Sequence, residues 1–312
     1  MSSVRNRLVG AMVIAIALVA TPFLSASCAR RPPVAQRPPT TAPPATVSPT
    51  LPPTSAPTTS APPTRPSTTT RPPTTTGPPT TTRPPTTTRP PTTQPPPFPP
   101  SLRGKDLEVI PNAGRVVALT FDGGANNTGL SSILATLDSA NVPATFFLTG
   151  QFANHYPQSV KDIVLDGHRL GNHSNTHPHL PALPSDADVV NQLRQAESAI
   201  RAAGGTDPRP LFRFPYGDRN AHTIAVVNDA GYVAVRWTVD SLGWKGTQDG
   251  GTVQKVIDKV VGAARNGAIV MMHIGSNPDD HTTFDADALS TVISRLRALG
   301  YGFVTLDVLL ST

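Results

Sequence analysis

The chain changes character abruptly near residue 100, and that break decides how much of it can fold. Of its 37 prolines, 27 lie before residue 101, many in a repeated six-residue unit. The unit runs Arg71-Pro-Pro-Thr-Thr-Thr, Gly77-Pro-Pro-Thr-Thr-Thr, Arg83-Pro-Pro-Thr-Thr-Thr, Arg89-Pro-Pro-Thr-Thr-Gln. Such a segment has nothing to bury and cannot form a core. Paired prolines favour extended polyproline II, about 3.1 Å per residue, so residues 29–105 read as a disordered Pro/Thr-rich stalk reaching on the order of 200 Å. Its threonines are candidate O-glycosylation sites. Charge divides at the same place. Before residue 101 there are nine arginines and no Asp or Glu, and the remaining 17 basic residues face all 20 acidic ones. The formal net charge of +6 therefore belongs to the stalk end. Nucleic-acid binding needs a basic face on a folded domain, and residues 106–312 are slightly acidic, so no DNA or RNA partner is expected.

The first 28 residues read as an export signal. Arg5 and Arg7 form a positive start, Leu8 to Ala20 is an apolar run short for a membrane span, and Ser25-Ala26-Ser27 supplies small residues before Cys28. Cys28 is the only cysteine, so the exported fold has no intrachain disulfide. Leu24-Ser25-Ala26-Ser27-Cys28 resembles a bacterial lipobox, with Ser25 where that pattern prefers Leu. Lipidation at Cys28 and ordinary cleavage with release both remain open. The expected location is the cell envelope or the extracellular side, with membrane contact only through a lipid at Cys28.

About 210 residues remain, enough for one domain with a full core. Apolar runs suited to buried strands alternate with helical periodicity. Strand-like runs are Val116 to Phe121, Ala144 to Leu148, His168 to Leu170, Pro210 to Phe214, Tyr232 to Trp237, Ala268 to Met272 and Gly302 to Thr305. Between them, helices are expected over 130–140, 160–164, 186–203 (with Ser185 as N-cap), 221–230, 253–264 and 287–299. About seven β-α units imply an α/β fold with a parallel sheet, open or closed into a barrel. In barrels the working residues sit at the C-terminal ends of strands, where Asp122, Arg213 and His273 fall.

His173 and His177 stand four residues apart. On one helical turn that spacing would put both imidazoles on one face, able to grip a divalent cation. The pair lies among four other ordered segments: Thr120-Phe121-Asp122-Gly123-Gly124, Arg213-Phe214-Pro215-Tyr216-Gly217, Asp240-Ser241-Leu242-Gly243-Trp244 and Met271-Met272-His273. Their order resembles the polysaccharide deacetylases with a NodB homology domain, carbohydrate esterase family 4. The resemblance spans roughly residues 114–310, including Gly300 to Leu306 as a last strand. It implies an irregular (β/α)7 barrel and a metal-dependent hydrolase that removes N-acetyl groups from an acetylated polysaccharide. It implies Asp122 as general base, Arg213 as its partner, and His173 and His177 as metal ligands. Tyr216 would help hold the oxyanion through its backbone N–H, Trp244 would wall the acetyl pocket, and His273 would be the general acid. The cation would be Zn2+, with Co2+, Mn2+ or Ni2+ as alternatives, and the domain would act as a monomer. Peptidoglycan amino sugars are favoured over soluble chitin by the export signal and stalk. Two alternatives stand beside this: a wall-polymer-binding pseudoenzyme and an acetyl-ester hydrolase on another glycan.

The chemistry asks for these residue types on its own terms. Amide hydrolysis needs an acidified water, a carboxylate to take its proton, donors for the oxyanion and an acid for the leaving amine. Each residue also has a structural reading: Asp122 as a turn cap, Arg213 in a surface ion pair, His273 at a core edge, Trp244 in the core. Two positions depart from the family. Gly123 stands where an Asp third ligand is usual, and Gly243 where an Asp supporting the Arg is usual. Asn126, Asn127, Asp279 or Asp280 are candidate substitutes for the first, and Asp240 for the second. His155, His168, His179, His222 and His281 receive no role.

Overall fold

The computed structural model describes residues 98–311. The expected signal segment, Cys28 and nearly all of the Pro/Thr stalk lie outside the described residues. The elements are, in order, β1 (Asp106–Leu107), β2 (Val116–Gly123), α1 (Leu130–Ser139), β3 (Thr145–Leu148), α2 (Gly150–His155), α3 (Pro157–Leu165), β4 (Arg169–Asn172), α4 (Asp186–Gly204), β5 (Leu211–Phe212), α5 (Ala221–Asp229), β6 (Val233–Val235), β7 (Val239–Asp240), α6 (Val253–Gly262), β8 (Ala268–His273), α7 (Phe284–Ala298) and β9 (Gly302–Phe303).

The strands form one sheet in the order β1-β6-β5-β4-β3-β2-β8-β7, with β9 against the start of β2. Every ladder between named strands is parallel. The link from β6 to β7 draws the two ends together. Arg236 N–H donates to Leu107 O beside β1, and Thr238 N–H donates to Ile269 O in β8. Val109 adds an antiparallel bridge to Ala268. The result is a curled parallel sheet of the irregular (β/α)7 barrel type that the family resemblance implied; the alternation of elements had left open and closed sheets both possible.

Strand alternation sorts the side chains into two layers. Val117, Leu119 and Phe121 of β2 join Phe146, Leu148, Leu170, Val270 and Met272 in the layer under the helices. Ala118, Phe147, Leu211, Val233, Val235 and Ile269 face inward, and Phe98, Leu102, Leu306 and Leu309 complete that inner cluster. Continuing the inward alternation toward the C-terminal strand ends gives Asp122 on β2, His173 just past β4, Arg213 just past β5 and His273 ending β8. The polar site therefore occupies the end of the barrel that the apolar inner residues leave unfilled.

The helices obey local signals. Ser185 Oγ accepts from Asp188 N–H at the start of α4, a cap worth about 1 kcal/mol, and Gly205 at φ +72° ends that helix. Three elements escaped the sequence pattern because they are too short to show a period: β1, α2 and β7. The last helix begins at Phe284 rather than Asp287, which brings Asp285 into its first turn.

Candidate active site at the C-terminal end of the barrel

The segment His173 to His177 is not helical, contrary to the helical-turn expectation. It is a loop leaving β4, with Ser174 at φ +65° and His177 at φ +60°. Its shape is fixed from three sides. Ser174 N–H donates to Asn172 Oδ1, and His177 N–H donates to Ser174 Oγ. Gly150 and Gln151 at the start of α2 donate to Ser174 O and Asn175 O. Gln192 Oε1 on α4 accepts from Asn175 N–H and Thr176 N–H. The two left-handed residues fold the loop back, so the imidazoles converge without a helix.

Their Nε2 atoms are 3.2 Å apart. Two nitrogens each about 2.0–2.1 Å from one tetrahedral cation would stand roughly 3.4 Å apart. His173 is 3 % exposed, and its Nδ1 lies 2.9 Å from Arg213 O. A carbonyl only accepts, so Nδ1 carries the proton and the Nε2 lone pair is left for a ligand, as carbonyl-backed metal histidines are arranged. Burial lowers the pKa of His173, and burial followed by the field of His173 lowers that of His177 to about 4. Both rings are thus held neutral, the form that binds metal. The pair of imidazoles fits a divalent cation, with the Asp122 carboxylate beside it, Oδ2 3.6 Å from His173 Nε2. Among the described residues no group of three or more His, Cys, Asp or Glu is placed to hold a metal ion together, so the two imidazoles are the protein ligands on offer.

Asp122 and Arg213 form a buried pair. Arg213 Nη1 donates to Asp122 Oδ1 at 2.7 Å, with the arginine fully buried and Asp122 6 % exposed. Burial alone would raise the Asp122 pKa. Arg213, His173 and His273 outweigh it, and the pKa is lowered, so Asp122 is ionised at neutral pH. The guanidinium lies over the Phe147 ring at 4.2 Å, and its Nη2 donates to Arg236 O at 3.1 Å. Phe147 can sit there because Gly171 has no side chain: a Cβ would stand 2.5 Å from its ring. Arg213 is therefore no surface ion pair, and Asp122 no turn cap.

His273 ends β8 in register with Asp122. Burial works against its charged form, but the carboxylates of Asp285, Asp122 and Asp240 more than offset this, and its pKa is raised. Trp244 is 44 % exposed, its ring 6.2 Å from His273, so it is rim rather than core. Asp240 accepts from Leu242 N–H at 2.8 Å and contacts Trp244 Nε1 at 3.4 Å. It reaches Arg213 only as a minor through-space field, weaker than Asp122's. The suggested substitute ligands are occupied elsewhere. Asn126 Oδ1 accepts from Thr128 and Ser276 N–H, and Asn127 donates to Ser159. Asp279 accepts from Gln248, and Asp280 from Thr247 and Thr282.

Tyr216 holds a left-handed backbone, φ +58°, in the turn after Arg213. Its ring meets His177 edge-on at 4.4 Å and stacks on His179 at 4.1 Å. His179, given no role from sequence, also pairs with Asp218 at 2.9 Å, and so braces the turn carrying Tyr216. Asp285 was missed as well, because an acid in the first turn of a helix looks like an ordinary dipole partner. Gly243 signalled only a missing carboxylate beside Arg213; nothing in the sequence pointed to one behind His273.

The chain is similar to known proteins. The polysaccharide deacetylase family model matches residues 110–235. A peptidoglycan-N-acetylglucosamine deacetylase of Bacillus cereus is 34 % identical over 196 residues, covering 63 % of this chain and 68 % of the relative. A chitooligosaccharide deacetylase of Sinorhizobium fredii is 34 % identical over 205 residues, covering 62 % and 93 %. The solved Bc1960 peptidoglycan N-acetylglucosamine deacetylase superposes with a TM-score of 0.61 at 31 % identity, covering 68 % of this chain and 95 % of that one. BA3943 of Bacillus anthracis, described as a pseudoenzyme of carbohydrate esterase family 4, gives 0.57 at 30 % identity, covering 64 % and 66 %. With the ordered motifs gathered at one barrel end and relatives matched over most of their own length, the chain belongs to the polysaccharide deacetylase family.

Proposed function

We propose that this domain hydrolyses the N-acetyl groups of peptidoglycan amino sugars, with a divalent cation, Zn2+ first among candidates, held by His173 and His177. The observation that carries the reading is the convergence at one barrel end of a buried ionised Asp122, two neutral imidazoles 3.2 Å apart and a raised-pKa His273. A cation bound there supplies Lewis acidity that brings the pKa of water from about 15.7 toward 7, within reach of a carboxylate base.

Asp122 takes the proton of the attacking water as its oxygen bonds to the acetyl carbon. Arg213 holds the carboxylate ionised and aimed throughout. The Tyr216 backbone N–H donates to the developing oxyanion. His273, charged because its pKa is raised, gives its proton to the sugar nitrogen as the C–N bond breaks. Acetate and a free amine leave. Acid–base help of this kind contributes about 10²–10⁴-fold for each group. Trp244 at the rim packs against the acetyl methyl. An export signal and a Pro/Thr stalk would place the domain in the cell envelope or outside the cell, with a lipid on Cys28 or cleavage and release as the two alternatives.

The test is mass spectrometry of defined muropeptides after incubation with the protein and Zn2+, Co2+, Mn2+ or Ni2+. Loss of single acetyl units, abolished by His173→Ala, is the expected result. Polymer binding without acetate release under any metal would instead identify a pseudoenzyme. Release only from O-acetylated glycans would identify an ester hydrolase.

A further inference from the structure

Asp285 reaches the site from an element that none of the sequence motifs includes. It lies in the first turn of α7 and is 3 % exposed. Its Oδ2 accepts the backbone N–H of His273 at 2.9 Å and stands 3.6 Å from His273 Nδ1. Two buried polar atoms there lack hydrogen-bond partners: His273 Nδ1 and Asp285 Oδ1. Buried polar atoms are nearly always paired, so an unpartnered Nδ1 3.6 Å from Oδ2, on a carboxylate whose other oxygen is also unpartnered, marks a bond that forms when the imidazole is charged. At 3.6 Å the contact is an ion pair, and a small ring rotation would make it a hydrogen bond.

Gly243 explains how Asp285 fits. A Cβ at Gly243 would lie 2.3 Å from Asp285 Oδ1, 2.5 Å from its Cγ and 2.9 Å from its Oδ2. The carboxylate therefore fills the volume that a side chain at 243 would take. A side chain at 243 would displace the Asp285 carboxylate from this position.

We propose that Asp285 is the positioning residue of His273, fixing its ring orientation and its Nδ1–H tautomer so that Nε2 faces the reacting centre, and that Gly243 is required to admit it. This role rests on His273 acting as the proposed acid. A carboxylate behind an imidazole sets both tautomer and orientation in acid–base catalysts. Asp122 on β2 and Asp240 on β7 also bear on His273 through space, but Asp285 alone carries a hydrogen bond to its backbone.

The test uses the full-length protein labelled with 15N-histidine, without metal for NMR and with zinc for kinetics. In Asp285→Asn the His273 titration midpoint should fall by about one unit or more. The Nδ1–H signature should weaken, and kcat should fall at least tenfold while KM changes less than twofold. Asp285→Glu should recover part of kcat. Gly243→Ala should reproduce the loss, because it displaces the carboxylate. The swap Gly243→Asp with Asp285→Ala should restore the midpoint, by returning a carboxylate to the same volume. An unchanged His273 midpoint and tautomer in folded Asp285→Asn would overturn the role. So would a swap that folds with native circular dichroism yet leaves His273 as in Asp285→Asn. If the midpoint moves but no variant, nor the parent, releases acetate, the positioning role stands and the deacetylase reading falls. If acetate is released and the midpoint does not move, the reverse holds.

Discussion

Restoring an aspartate at position 123 should harm this protein rather than improve its metal site. The family usually carries a ligand Asp after its base, so Gly123→Asp looks like a repair. Here β2 runs through Gly123, in register with Leu148. Alternation turns Asp122 inward and position 123 toward the helix layer. A Cβ at 123 would stand 2.7 Å from Ile274 Cδ1, 2.8 Å from Leu148 Cδ2 and 3.6 Å from Phe152 Cδ2. All three side chains are fully buried, so none yields without displacing its neighbours. Overpacking of this kind costs about 1–3 kcal/mol. An unpaired carboxylate in an apolar pocket adds several kcal/mol, or stays protonated and ligates nothing. A loss of about 4 kcal/mol, at roughly 2–4 °C per kcal/mol for a domain of this size, lowers Tm by roughly 8–16 °C. Gly123→Ala isolates the steric part and should lower it by roughly 2–12 °C. Scanning calorimetry of the metal-free protein gives the stabilities, and titration calorimetry gives the zinc Kd. Expected are a lower Tm for both variants, lower for Asp than Ala, and no gain in zinc affinity. Tenfold tighter zinc binding by Gly123→Asp at unchanged Tm would refute the outward assignment of position 123.

Three further outcomes follow from the same geometry. Arg213→Leu strands a buried Asp122 charge and should cost about 3–5 kcal/mol in denaturant unfolding together with activity, and Arg213→Lys should not restore either, since a lysine cannot reach Asp122 and Arg236 O together. The His177 pKa, about 4 against an ordinary 6.5, means the unfolded chain binds the proton more readily. Stability of the metal-free protein is therefore whole above 6.5 and falls as pH drops through 4; a pH series of melting curves should show this, with a shallower slope in His177→Asn. Tyr216→Gly relieves a left-handed backbone worth about 1 kcal/mol or more while deleting the ring between His177 and His179. Tm should hold or rise, and deacetylation should drop.

Much of the barrel was legible in the chain. Buried strands announce themselves as apolar runs, and Ser185 announces the start of α4, because both signals are local. The short β1, α2 and β7 were not, since two to six residues carry no period. The individual site residues were legible as types in order. The bland reading of Arg213 failed only when its full burial against Asp122 and Phe147 was seen. The two imidazoles of the His pair do converge, but not for the reason the spacing suggested: two left-handed residues in a pinned loop bring them together, not a helical turn.

The sequence by itself determined the alternation of strands and helices and which side chains could do hydrolytic chemistry, because composition and periodicity act over a few neighbouring residues. Only the tertiary structure decided which faces meet. It turned position 123 into the core, set Asp285 behind His273 in the space left by Gly243, and gave the substitute ligands Asn126 and Asp280 other partners. Those outcomes depend on strand register and on the packing of α7, contacts between residues far apart in the chain, which no local pattern encodes.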